Sequence, residues 1–185
     1  MTNNLIRDYD MSKHNETCLD VINGSGVGNY SLIIGESSYG INRQFLFGVE
    51  LRDLMTDIQS SINDYMEQLS KPKTLLSSSW FNILGKDGLV EKHQHSQSWD
   101  DVNGSFVSGA YYPYVEENSC PLLFEDGSIK EAFNGSLVIF PSWLEHWTNP
   151  NQSEKRITVS FNTIRKDVYL ERSKKWLLLI WIKSR

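Results

Sequence analysis

Cysteine is nearly absent from this chain. The two present, Cys18 and Cys120, stand in no CxxC or other metal-spaced pattern, which excludes a cysteine-based metal motif and makes a reducing compartment the expected setting. Basic charge is also short. Eighteen Lys and Arg against 23 Asp and Glu leave a net charge of −5, with no general attraction to phosphate backbones or anionic lipids, so neither nucleic acid nor a membrane is an expected partner. No apolar run approaches the roughly 20 residues that a bilayer-spanning helix needs. The most apolar one, Trp176 to Ile182, has seven residues flanked by lysines and is expected to pack on the fold or to mediate self-association. The N-terminal MTNNLIRDYDMSKHNET lacks the basic start and apolar stretch of a secretory signal, so a cytoplasmic location is expected.

What is there suits an ordinary globular protein: 39% hydrophobic and 12% aromatic residues in 185, enough for one domain over 1–185 with one core. Residues 1–30, rich in Asn, Ser, Gly and Asp, read as an irregular lead-in, with Tyr30 to Gly35 as a first strand. Over 49–70 the apolar residues Leu51, Leu54, Met55, Ile58, Ile62, Tyr65, Met66 and Leu69 recur every three or four positions, the stripe of a helix that flanks a sheet. Lys71-Pro72 closes it.

From 77 to 163 the pattern changes to short runs of aromatic and β-branched residues broken by Gly, Asn and Asp: SWFNIL, VEKHQH, FVSGAYYPYV, CPLLFED, GSLVIFP and RITVSFN. Many short strands without helices between them predict a mainly β fold with a flanking helix, in the class of barrels and double sheets that includes jelly rolls and cupins. Residues 164–185 form a C-terminal tail.

Three of the four histidines fall in the strand-rich part, while His14 lies in the lead-in. His93 and His95 are two apart, so on a strand both rings leave the same face. His146 follows the run GSLVIFPSWLE and sits on a later strand that a jelly roll can bring beside the first, completing a facial ligand set. Asp100, five residues after His95, is an alternative donor in a cupin-like arrangement, and Glu145 points away into solvent.

Arg156 opens the apolar strand Ile157 to Phe161 and faces inward with Thr158 and Ser160. A buried guanidinium calls for an anion, and its fork matches a carboxylate, either a ligand's or a structural one such as Glu125 or Asp126. Metal ligands beside such an arginine describe a site for a metal-chelating dicarboxylate. Tyr111, Tyr114, Trp143 and Trp147 read as barrel-wall aromatics.

Taken together, Trp80-Phe81-Asn82, His93-Gln94-His95, Ser108-Gly109-Ala110-Tyr111-Tyr112, Phe140-Pro141-Ser142-Trp143-Leu144-Glu145-His146 and Arg156 to Asn162 resemble the 2-oxoglutarate/iron(II)-dependent oxygenases. Within that superfamily the nearest likeness is to its small bacterial and phage members related to prolyl hydroxylases; it covers about Trp80 to Thr163. The resemblance implies a double-stranded β-helix, with iron(II), 2-oxoglutarate and O2 as cofactor and co-substrates. It also implies His93 and His146 as iron ligands, Arg156 on the distal carboxylate of 2-oxoglutarate with Thr158 beside it, and Tyr112 and Asn82 near the same co-substrate. His95 stands where the superfamily has Asp or Glu, so a three-histidine centre, His93, His95 and His146, is the expected catalytic set. The implied reaction is hydroxylation of a C–H bond in a peptide or small molecule, in the host cytoplasm if the gene is a phage's. Two alternatives remain open: a cupin-like metalloenzyme that does not use 2-oxoglutarate, and a non-catalytic jelly-roll binding module.

Overall fold

A computed structural model describes residues 5–101 and 104–171. Eleven strands and two helices follow in the order β1 (Arg7–Asp10), α1 (Asn15–Asn23), β2 (Gly28–Tyr30), β3 (Ile33–Ser37), α2 (Arg52–Gln68), β4 (Thr74–Leu84), β5 (Leu89–Val90), β6 (Val107–Val115), β7 (Leu122–Phe124), β8 (Ile129–Lys130), β9 (Ser136–Pro141), β10 (His146–Thr148) and β11 (Arg156–Arg165). The main sheet runs β1-β9-β6-β11-β4-β3-β2, with β5 also on β3, and a small sheet runs β10-β7-β8. This is a double-stranded β-helix, mainly β with flanking helices.

The predicted flanking helix is α2, preceded by a 3-10 turn over Val49–Leu51. Leu54, Ile58, Ile62 and Tyr65 on its stripe are fully buried. Its end is set by Ser70 in a left-handed conformation, with Lys71 N–H donating to Met66 O and Ser70 N–H to Glu67 O. That closure satisfies carbonyls the last turn would leave bare.

Strands in the main sheet are two-faced because side chains alternate. Ile157, Val159 and Phe161 on β11, Phe81 on β4, Val107 and Tyr111 on β6, and Leu137 and Ile139 on β9 pack with α1 and α2 into one core. The intervening residues Ala110, Tyr112, Val138 and Phe140 turn the other way and meet Leu122 and Phe124 of the small sheet in a second core. At Gly109 a Cβ would lie 2.2 Å from the Phe161 ring, so glycine is what lets that ring cross β6.

Four expectations change. Within the lead-in, residues 5–30 are not irregular: β1 pairs with β9, and α1 buries Cys18 and Ile22 against the main sheet. The sequence is polar there because only one face of these short elements is covered. Tyr30 to Gly35 is not one strand but the turn of the β2–β3 hairpin, in which Tyr30 pairs with Ile33. VEKHQH is mostly loop, since β5 ends at Val90. The main sheet also reaches beyond 77–163: β4 starts at Thr74, β11 ends at Arg165, and β1, β2 and β3 come earlier still. Of the C-terminal tail, residues 166–171 continue as helix and Trp176 to Ile182 lies outside the described residues.

Candidate metal centre

His93 and His146 face each other across a single antiparallel bridge. His93 N–H donates to His146 O at 3.1 Å and His146 N–H returns to His93 O at 3.0 Å, so two backbone bonds hold the rings on one side. His95 is pinned separately: its N–H donates to Ser142 O at 2.8 Å, and its carbonyl accepts from Ser105 N–H at 3.1 Å. The ring centroids lie 4.3 Å (His93–His146), 4.9 Å (His93–His95) and 5.3 Å (His95–His146) apart. One ring nitrogen from each lies within 4.8 Å of the others. Facial ligands at right angles around a first-row metal, with bonds of about 2.1 Å, sit about 3 Å apart, so small side-chain shifts close the set.

Protonation favours ligation. His93 Nδ1 lies 2.7 Å from Glu91 O and His146 Nδ1 3.0 Å from Leu144 O, contacts that require the proton on Nδ1 and leave Nε2 with its lone pair. Burial pushes all three imidazoles below their ordinary range, His95 to about 3. Neutral rings are what a metal needs.

His95 has a less settled partner. Its Nδ1 lies 3.5 Å from Asn162 Nδ2, and Asn162 Oδ1 accepts from Ser108 Oγ at 2.7 Å. Amide oxygen and nitrogen exchange places in a half-turn of the side chain. With the amide turned over, His95 Nδ1–H donates to Asn162 Oδ1 and Asn162 Nδ2 to Ser108. Ser108 then donates to Ser142, 2.7 Å away, and Ser142 to Ser105 at 2.8 Å. Every member of that chain is satisfied, and His95 Nε2 is freed for the centre.

The three rings line a cavity of about 240 Å³ shared with Arg156, Thr158, Tyr112 and Asn82. Arg156 is 2% exposed; one terminal nitrogen donates to Thr158 Oγ1 at 2.8 Å, while Nε has no acceptor. Among the described residues no carboxylate pairs with it, Glu125 and Asp126 included. The Tyr112 ring lies 4.8 Å from the guanidinium carbon, and its buried hydroxyl lacks a well-formed hydrogen bond. Asn82 is held by Ser37 Oγ at 2.7 Å.

Residues 125–162 match the family model described as "Putative 2OG-Fe(II) oxygenase". Comparison with curated proteins finds no significant match. Among solved structures, the viral collagen prolyl hydroxylase of Paramecium bursaria Chlorella virus-1, in complex with 2OG, is similar with TM-score 0.64 at 11% identity, over 87% of this chain and 96% of that one. A prolyl-4-hydroxylase of Pseudomonas putida gives TM-score 0.63 at 12% identity, over 87% of this chain and 92% of that one. HygX of Streptomyces hygroscopicus, with nickel and 2-oxoglutarate bound, gives 0.61 at 10% identity, over 88% and 83%. These likenesses show a shared fold.

At His95 the sequence departs from the His-x-Asp or His-x-Glu pattern of the superfamily it resembles. No carboxylate joins the cluster among the described residues, and Asp100 lies outside it, exposed in the loop after His95. Glu145 is turned away from the cluster and pairs with Lys92 on the outer side. Sequence reasoning missed Asn162, the second partner of His95. It also missed Tyr30 and Ile33 of the β2–β3 hairpin and Tyr39 just after it, which line the cavity with Trp80. Position in the strand would have found Asn162, two residues beyond Ser160 on the same face. Nothing local marks the hairpin as cavity wall.

Proposed function

We propose that the protein is a 2-oxoglutarate- and iron(II)-dependent dioxygenase that hydroxylates a C–H bond of a peptide or small molecule. The observation that carries this is Arg156. It is a buried cation with an unpartnered Nε and no carboxylate partner among the described residues, opening into the same small cavity as three neutral imidazoles. A guanidinium in that state fits an incoming carboxylate, because burial without an anion is costly and the fork is ready to donate.

In this reading His93, His95 and His146 hold iron, and Arg156 with Thr158 holds the distal carboxylate of 2-oxoglutarate. Tyr112 and Asn82 complete the wall around the co-substrate. When bound, the iron supplies reduction of O2 coupled to oxidative decarboxylation of 2-oxoglutarate. The chain orients the co-substrate between its metal-chelating end and Arg156, and the apolar cavity wall excludes water. No helix among the described residues is long and apolar enough to cross a membrane; the reading places the enzyme in the cytoplasm.

The three-imidazole donor set favours one other reading, a cupin-like metalloenzyme without 2-oxoglutarate. Succinate release from 2-oxoglutarate with iron(II) and ascorbate decides between them. The wild type is expected to release succinate and Arg156→Met to lose at least about 100-fold of it. Equal turnover by the two proteins, or none by the wild type with iron bound, overturns the reading.

A further inference from the structure

Arg156 is the one charged side chain that lines the cavity among the described residues. The acids nearest in sequence to the centre are turned outward. Glu91 contributes only its carbonyl, to His93, while Glu125 and Glu145 pair with Lys92 at the exposed surface. A divalent cation on three neutral imidazoles therefore gives the loaded cavity three positive charges with Arg156. The 2-oxoglutarate dianion offsets two of them. One stays uncompensated, the one that a carboxylate in place of His95 would have neutralised.

A second feature points the same way. One wall of the cavity is aromatic: Tyr39 packs against Tyr30 at 4.1 Å and edge-on against Trp80 at 4.9 Å. Over the Tyr39 ring, at 3.8 Å, lies the Arg43 guanidinium, whose Nε donates to Tyr39 O and which has no carboxylate partner among the described residues. The cavity thus offers a ligand a flat aromatic wall, backed at Tyr39 by a cation, beside a centre one negative charge short.

We infer that the substrate is a small organic anion, one carboxylate on a flat or apolar body, whose charge completes the site that His95 leaves cationic. This rests on the proposed 2-oxoglutarate reading and goes beyond it to the substrate class. The body lies against Tyr30, Tyr39 and Trp80, and the carboxylate points to the side of the centre that His95 supplies. Neutral small molecules and peptide segments without a carboxylate are disfavoured because neither brings the missing charge.

The test is a binding titration of the full chain loaded anaerobically with iron(II) and 2-oxoglutarate, following the visible absorption of that complex. Benzoate is compared with its neutral isostere benzamide, and sodium azide serves as an anion without a body. Benzoate is expected to perturb the complex at concentrations at least about tenfold lower than benzamide, and azide to bind more weakly than benzoate. In His95→Asp, which supplies the missing charge, the benzoate preference is expected to fall to within about twofold. Equal binding of benzoate and benzamide to the wild type overturns the inference, whatever the variant does. Azide binding as tightly as benzoate overturns the role of the aromatic wall. Iron retained without any 2-oxoglutarate binding overturns the proposed function as well, and is read in the first step of the same titration.

Discussion

The two faces of the main sheet are built from the same strands and do opposite work. On β11, Ile157, Val159 and Phe161 face the helices, while Arg156, Thr158 and Ser160 line the cavity and Asn162 follows against His95, one residue apart throughout. The helix-facing side is apolar and fully dry, and its energy is area removed from water. The cavity-facing side buries an arginine, hydroxyls and amides, two of which, Arg156 Nε and the Tyr112 hydroxyl, are without partners. Such groups cost stability unless something binds them. The first face makes the fold; the second stores unmet hydrogen-bonding and charge for a ligand.

The largest expected effect lies on the helix side. Phe81→Ala removes a ring with no solvent exposure and should cost about 3–5 kcal/mol of stability in urea unfolding, with the metal affinity of the surviving folded fraction unchanged. On the other face His146→Ala should cut iron retention by about 100-fold or more, read by metal analysis after anaerobic gel filtration, with a smaller effect on the stability of the metal-free protein. A variant that reverses this pattern breaks the division between faces.

Acid sharpens the contrast. His95 and His146 have folded pKa values below the unfolded value of 6.5, so the unfolded chain binds more protons as pH falls. Their contribution is therefore intact above about pH 6.5 and is lost below it, for His95 down to its folded value of about 3. Each imidazole should tilt metal-free stability by up to about 1.4 kcal/mol per pH unit in that window. Urea midpoints at pH 7, 6 and 5 for the wild type and for His95→Gln check this: the variant should show the shallower slope. The smallest effect is expected at Asn162→Ala, about tenfold in metal affinity by competition with a chelator, since it orients His95 without touching the ion.

The apolar face was the legible one. The stripe from Leu51 to Leu69 gave α2, and the alternation in RITVSFN separated Arg156 from Ile157 correctly. The order of His93, His146 and Arg156 along the chain was enough to suggest a common cavity, and the structure lines one cavity with all of them. What stayed hidden depends on pairing rather than pattern. His93 and His95 share a side not through a regular strand but because His93 bridges His146 and His95 hangs on Ser142. Polar residues 5–30 gave no period because β1 and α1 each bury few side chains, and their order comes from β9 and the sheet beneath. Of the acids proposed as partners of Arg156, Glu125 turns outward to Lys92 and Asp126 accepts from Ser128 N–H, because both sit in the turn after β7 and not on a strand that faces the cavity.

The account stands on the convergence of three imidazoles and one guanidinium upon a single ligand. Titration of 2-oxoglutarate into the protein with and without iron(II) tests it most directly, because only a co-substrate held at both ends needs the metal and the arginine together. The prediction is measurable binding with iron(II) and at least about 100-fold weaker binding without it. Binding that is indifferent to the metal would contradict the account.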